Sequence, residues 1–224
     1  MGNKLLPSQV EKNEQASHED FWNGKFLEEK DLIAKSPIFI RKNVFVYNVI
    51  KKISGRLLDI GFGYAFIEEL FSKKLDIQVY GIDISTDAVK YAKKYLKGRF
   101  YRGDVCKANY PKNFFSCVLA LDILEHIPKD KLASLLLKIY RSLKSSGIII
   151  VSVPLNESRT DTFRNRHLIR FTENSLIASL MRTGYKVQKV KKFSSFKNMF
   201  FAKTLINNML KIRNPNLLIV VAKK

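Results

Sequence analysis

The sequence predicts a doubly wound α/β fold: a mostly parallel, seven-stranded sheet with helices on both faces. Three observations carry that expectation. Between Arg56 and Val153, short apolar segments alternate with segments of helical period, the pattern of parallel strands joined by crossover helices. Runs such as Ile148-Ile149-Ile150-Val151 are apolar without alternation, as burial on both faces of a parallel sheet requires. Finally, Asp59, Asp83, Asp104 and Asp122 stand at or near the ends of the first four strands, where open α/β sheets bind their ligands.

The elements follow in order. Residues 1–35 are polar, with an aromatic island at Phe21, Trp22 and Phe26, and read as an N-terminal extension or lid. Residues 36–224 read as one domain. Apolar residues recur at helical spacing from Ile38 to Ile53, and Ser54-Gly55 closes that helix. Strands are expected at Arg56–Ile60, Gln78–Ile82, Arg99–Tyr101, Phe115–Leu121 and Gly147–Val153, with helices at Phe66–Lys74, Thr86–Leu96 and Lys131–Leu143. Ser85 is placed to cap the second of these helices. Residues 155–213 form substrate-side loops and helices: a polar Leu155–Arg170, a helix capped by Thr172 and stopped by Gly184, a strand at Tyr185–Val190, and an apolar, basic helix at Lys197–Arg213. Leu217–Ala222 is the last strand.

The composition is that of a globular chain, 46% hydrophobic and 27% charged. No apolar run approaches the roughly 20 residues that cross a bilayer, so no transmembrane segment is expected. Cys106 and Cys117 sit in apolar, strand-like surroundings and read as free thiols of a reducing compartment, which points to the cytoplasm. The formal net charge of +20 is uneven: residues 129–224 hold 20 Lys and Arg against four acids. Such a half suits an anionic partner, whether a phosphorylated small molecule, RNA or an acidic membrane surface; solvated lysines on helix faces explain it equally well.

Gly61 and Gly63 follow the first strand, and Asp83 lies twenty residues beyond Gly63, where adenosine cofactors find a carboxylate for the ribose hydroxyls. A dinucleotide site needs Gly or Ala three residues after the second glycine. That position is Phe66, which argues against a nicotinamide dehydrogenase.

Leu57-Leu58-Asp59-Ile60-Gly61-Phe62-Gly63-Tyr64-Ala65 resembles motif I of class I S-adenosylmethionine-dependent methyltransferases, with Ala65 where a third glycine is usual. Gly81–Ser85 resembles their second-strand acidic loop, Arg102–Val105 their adenine-contacting segment, and Leu121–Ile127 their fourth-strand motif. His167–Thr172 and Gly184–Val187 resemble the type 11/12 subgroup of ubiquinone-type and glycan-associated enzymes. The likeness spans about residues 55–190 and implies a Rossmann-like methyltransferase fold with S-adenosylmethionine as cofactor. It implies that Asp59, Gly61, Phe62 and Gly63 hold the methionine end and Asp83 the ribose. Ile84, Asp104 and Val105 would meet adenine, and Asp122 would lie near the reacting centre.

Methyl transfer from a sulfonium needs mainly alignment and water exclusion, with a base where the acceptor is a hydroxyl. His126, after the fourth strand, and His167, in the polar segment, are the candidates for catalysis; His18 is a third histidine near the aromatic island. Asp122 and Glu125 lack the Asp-Asn ligands of magnesium-dependent catechol-type enzymes, and no His/Cys spacing suits zinc. No metal is therefore expected. The expected reaction is methylation of an oxygen on an anionic small molecule, glycan or lipid precursor. A tRNA or rRNA methyltransferase is the alternative that the charge favours, and a non-catalytic cofactor-binding module is a third. Lys197–Arg213 also suits peripheral contact with a membrane.

Overall fold

A computed structural model describes residues 19–24, 34–71, 76–194 and 215–224. The expected helix at Lys197–Arg213 and His18 lie outside the described residues.

Seven strands form one sheet in the order β3-β2-β1-β4-β5-β7-β6. They are β1 (Gly55–Ile60), β2 (Ile77–Asp83), β3 (Arg99–Arg102), β4 (Phe115–Leu121), β5 (Leu143–Pro154), β6 (Lys186–Phe193) and β7 (Leu217–Lys223). Adjacent strands from β3 to β5 pair in parallel, and β7 runs antiparallel to both β5 and β6. The chain winds outward from β1 to β3 and then returns to place β4 on the other side of β1. This reversal opens a crevice above the carboxyl ends of β1 and β4, where such sheets bind ligands.

Helices cover both faces. On one side α1 (Pro37–Ile50), α2 (Phe66–Phe71) and α3 (Thr86–Tyr95) bury Val46, Ile50, Ile67, Phe71, Val89 and Ala92 against Leu57, Leu119 and Ile150. On the other, α4 (Lys129–Ser142) and α6 (Glu173–Thr183) bury Leu135, Leu136, Ile139, Leu176 and Leu180 against Val118, Ile149 and Val151. Neighbouring residues of β5 thus feed opposite cores, the demand that an unbroken β-branched run meets.

Local signals hold where the chain is capped. Ser85 Oγ accepts from the Ala88 N–H at 3.2 Å, and Thr172 with Ser175 forms a reciprocal capping box on α6. Gly184 ends α6 with φ of 107°, the left-handed conformation that glycine adopts without steric cost.

Three expectations need correction. β5 starts at Leu143, directly after α4, because Leu143 pairs with Phe115 before a register shift brings Ile148 opposite Cys117. The segment 155–170 is not all loop, since α5 (Arg159–Arg164) lies within it. Cys117 is buried on β4, but half-buried Cys106 lies in the turn after β3; both thiols are free, and burial pushes Cys106 up to about 11. No helix among the described residues is long and apolar enough to cross a membrane.

Candidate active site

The β1–α2 loop forms the floor of the crevice. Gly61 has φ of 71°, and a Cβ there would come within 2.7 Å of Ile123, so the close approach of the β4 loop requires glycine. At Gly63 (φ 50°) a Cβ would meet no protein atom; the space in front of it belongs to the cavity. Ala65 also holds a left-handed φ of 57°, the conformation that explains the usual third glycine.

A cavity of about 450 Å³ runs above β1–β4 and is lined by Gly61, Gly63, Asp83, Ile84, Asp104, Val105 and Asp122 among others. Asp83 is fixed at its edge: Oδ2 accepts from the Gly63 N–H and Oδ1 from the Ser85 N–H, each at 2.8 Å. Burial raises its pKa, against the opposing pull of these N–H donors. Asp83 thus steadies the turn into α3 and still presents a carboxylate to the cavity. Asp104 accepts from the Cys106 N–H at 2.8 Å, while Ile84, Ala88 and Val105 supply apolar walls. Three carboxylates along one cavity would repel a pyrophosphate but suit a cofactor carrying a sulfonium and an ammonium. The residues present fit S-adenosylmethionine.

Asp122 follows β4 with φ of 53°, a strained conformation for a non-glycine residue. Its carboxylate pairs with Lys42 of α1 and accepts from Ser152 Oγ at 2.6 Å. Burial works to raise the pKa, but Lys42 and Ser152 outweigh it, and Asp122 is held below the ordinary carboxylate range. Its side chain remains 38% exposed, while Lys42 is almost wholly covered. Lys42 is a site residue that the sequence reading missed, since one lysine on a helix with many basic neighbours carries no signal.

A second cavity of about 460 Å³ adjoins the first. Trp22, Gly61, Gly63, Tyr64, Asp122 and His126 line both, whereas Asp59, Phe62, Glu125, Glu157 and His167 line only the second. The structure thus separates the expected cofactor residues. The Phe62 ring packs in the core against Phe100 at 5.4 Å, so its side chain faces protein. Asp59 is buried and shares a hydrogen bond with Glu68 of α2.

Burial and the Glu68 charge raise Asp59 well above the carboxylate range, and burial pushes Glu68 up from its ordinary 4.5 to about 6. The folded state keeps the Glu68 proton longer than the unfolded state, so its stability is full below pH 4.5 and declines as pH rises through 6. Glu68→Gln should therefore stabilise the protein at pH 8 by about 1–2 kcal/mol, a gain that fades toward pH 4.5. Urea unfolding at the two pH values checks this; a loss of stability at pH 8 would contradict it.

The short 3-10 turn Leu124–His126 and the segment after β5 complete the site. His126 and His167 meet edge to face with ring centroids 4.7 Å apart, and Trp22 also meets His126 edge to face at 4.7 Å. His167 Nδ1 lies 2.6 Å from Glu157 Oε2. Leu168 and Ile169 donate their N–H groups to the Glu125 carbonyl at 2.7 and 3.0 Å, which ties the two segments together. Trp22 comes from the helix at 19–24, anchored by Ser85 Oγ donating to Asn23 at 2.7 Å and by the Arg102–Glu19 ion pair at 2.8 Å. Trp22 itself lines both cavities.

The fold is that of class I S-adenosylmethionine-dependent methyltransferases, and the residues of the first cavity fit that cofactor. Residues 58–151 match the family model of the type 11 methyltransferase domain. It is 29% identical over 113 residues to phosphoethanolamine N-methyltransferase 3 of Arabidopsis thaliana, covering 48% of this chain but 23% of that enzyme. It is 29% identical over 151 residues to carboxy-S-adenosyl-L-methionine synthase of Campylobacter jejuni, covering 62% of each. The chain thus spans less than two thirds of the curated relatives it matches. Among solved structures, a methyltransferase from Archaeoglobus fulgidus superposes with a TM-score of 0.69 at 21% identity, over 89% of this chain and 99% of that one.

Proposed function

We propose that the chain transfers a methyl group from S-adenosylmethionine to an oxygen of a small anionic acceptor, such as a glycan or lipid precursor. The observation that carries this reading is the junction of the two cavities, where Asp122 and His126 line both. An acceptor entering the second cavity meets the methyl donor there. The cofactor supplies a methyl group already activated on a sulfonium.

The residues then divide the work. Gly61 and Gly63 let the backbone approach the methionine end, Asp83 holds the ribose, and Ile84, Asp104 and Val105 enclose adenine. Asp122, oriented by Lys42 and Ser152, places a negative charge at the reacting centre. Trp22 and the helix at 19–24 act as a lid that excludes water. His126 and His167 stand where the acceptor's hydroxyl proton must depart. Arg159, Arg164, Arg166 and Arg170 are exposed around the cavity-lining Glu157, Asn165 and His167. Their guanidinium groups suit a phosphate or carboxylate left at the mouth.

A second reading, N-methylation of an amine that carries a phosphate, is favoured by the acids Asp59, Glu68, Glu125 and Glu157 on the inner wall and by the name of the Arabidopsis relative. Labelled S-adenosylmethionine, supplied with separated small-molecule, lipid and RNA fractions, distinguishes the readings. Label on an oxygen of a small or lipid-linked anion is the expected result. Label on nitrogen selects the second reading, and label in RNA alone contradicts both.

A further inference from the structure

We propose that Glu125, His126 and His167 form a binding site for one divalent transition-metal ion on the acceptor side of the transfer point. The proposal rests on the reading of the second cavity as the acceptor's, because Glu125, His126 and His167 all line it. One ligand atom from each of the three lies within 4.8 Å of the others. Two ligands of a tetrahedral ion stand about 3.4 Å apart, given bonds of about 2.1 Å. The triangle therefore needs to close by up to about 1.4 Å, a movement that side-chain rotation supplies.

Two further observations point to an ion. Glu125 is 1% exposed, and its Oε2 has no hydrogen-bond partner among the described residues. A buried carboxylate without a partner is costly, and a cation beside it removes that cost. Lys42 is the adjacent cation, and it is committed to Asp122.

The second observation is Glu157. Its bond to His167 Nδ1 at 2.6 Å orients the ring and leaves Nε2 as the ligating atom. Metal-binding histidines characteristically hold their other ring nitrogen against a carboxylate in this way. Glu157 and His167 are themselves largely buried, with side chains 13% and 8% exposed, so the arrangement is not a chance surface pair.

Ligand chemistry narrows the ion. Two imidazoles with one carboxylate suit zinc, iron, manganese or cobalt, and disfavour magnesium and calcium, which prefer oxygen alone. Three protein ligands leave positions open, the feature of catalytic rather than structural sites. An acceptor hydroxyl reaching the ion would lose its proton more readily. The displacement stays balanced: the acceptor O–C bond forms as the S–C bond breaks, and the hydroxyl proton leaves to solvent. The products are a methyl ether and the neutral thioether. On this account His126 and His167 act on the proton through the ion.

The test uses the untagged full-length chain with Co²⁺ as probe, read by visible absorption and by metal content after gel filtration. One ion per chain is expected, undisplaced by millimolar Mg²⁺. His167→Ala and Glu125→Gln should weaken binding at least a hundredfold, and Glu157→Gln about tenfold or more. Glu125→Gln replaces a buried acid whose Oε2 has no hydrogen-bond partner among the described residues, so it should fold at least as well as the wild type yet lose the Co²⁺-induced rise in Tm. Failure of the wild type to retain a stoichiometric ion, or wild-type affinity in both His167→Ala and Glu125→Gln, would overturn the proposal. S-adenosylmethionine affinity, measured on the same preparations, should be unchanged throughout. Its absence in a chain that binds Co²⁺ would defeat the methyltransferase reading while leaving the metal site standing.

Discussion

Asp83→Ala is expected to weaken S-adenosylmethionine binding by more than tenfold. The Asp83 carboxylate is held from both sides by the N–H groups of Gly63 and Ser85, so its orientation is set before any ligand arrives. Hydrogen bonds to a charged group contribute about 1.5–3 kcal/mol each, and two ribose hydroxyls would engage it. Losing even one exceeds the roughly 1.4 kcal/mol of a tenfold change. The alanine also leaves the Gly63 N–H without its acceptor, which loosens the loop beneath the methionine end. Asp83→Asn, which keeps the shape and one acceptor oxygen, should fall between the two. Titration calorimetry with S-adenosylmethionine and with its demethylated product should give the same loss, because both carry the ribose. Unchanged affinity in Asp83→Ala would show that the ribose binds elsewhere.

His126→Asn should lower kcat by about a hundredfold or more, the usual scale for removing a group that handles a proton, while S-adenosylmethionine affinity changes little. His126 stands at the junction of the cavities, in edge-to-face contact with both Trp22 and His167. Its Nδ1 lies 3.4 Å from the Arg166 carbonyl, and the residue lines both cavities. The split between the two measurements decides its role. A fall in cofactor affinity with kcat retained would make His126 an organiser of the cofactor loop instead.

Much of this site was legible because its signals are local in sequence. A glycine pair after a strand, an acid at each following strand end and caps such as Ser85 and Thr172 report backbone turns a few residues away. Asp83, Asp104 and Asp122 accordingly gather around one cavity. What sequence spacing cannot report is which way a side chain points, or what meets it across the fold. Asp59 belongs to the same motif as Gly61, yet it turns toward Glu68 and the second cavity. Lys42 reaches Asp122 across 80 residues. Glu125 and His126 meet His167 only because the chain after β5 folds back, and a search for closely spaced ligands passes over such a cluster. Strand direction was equally hidden. The apolar run of β7 reads the same in either sense, and its antiparallel course emerges only from its pairing with β5 and β6. The early start of β5 likewise depends on the Phe115–Leu143 pair, since Leu143-Lys144 has no β-branched residue to announce a strand.

Equilibrium dialysis of the full-length chain against labelled S-adenosylmethionine, with and without excess NAD, tests the central claim most directly. The acid-lined cavity above β1–β4 predicts one molecule bound per chain and no competition from the dinucleotide. Failure to bind S-adenosylmethionine, or its displacement by NAD, would contradict the account.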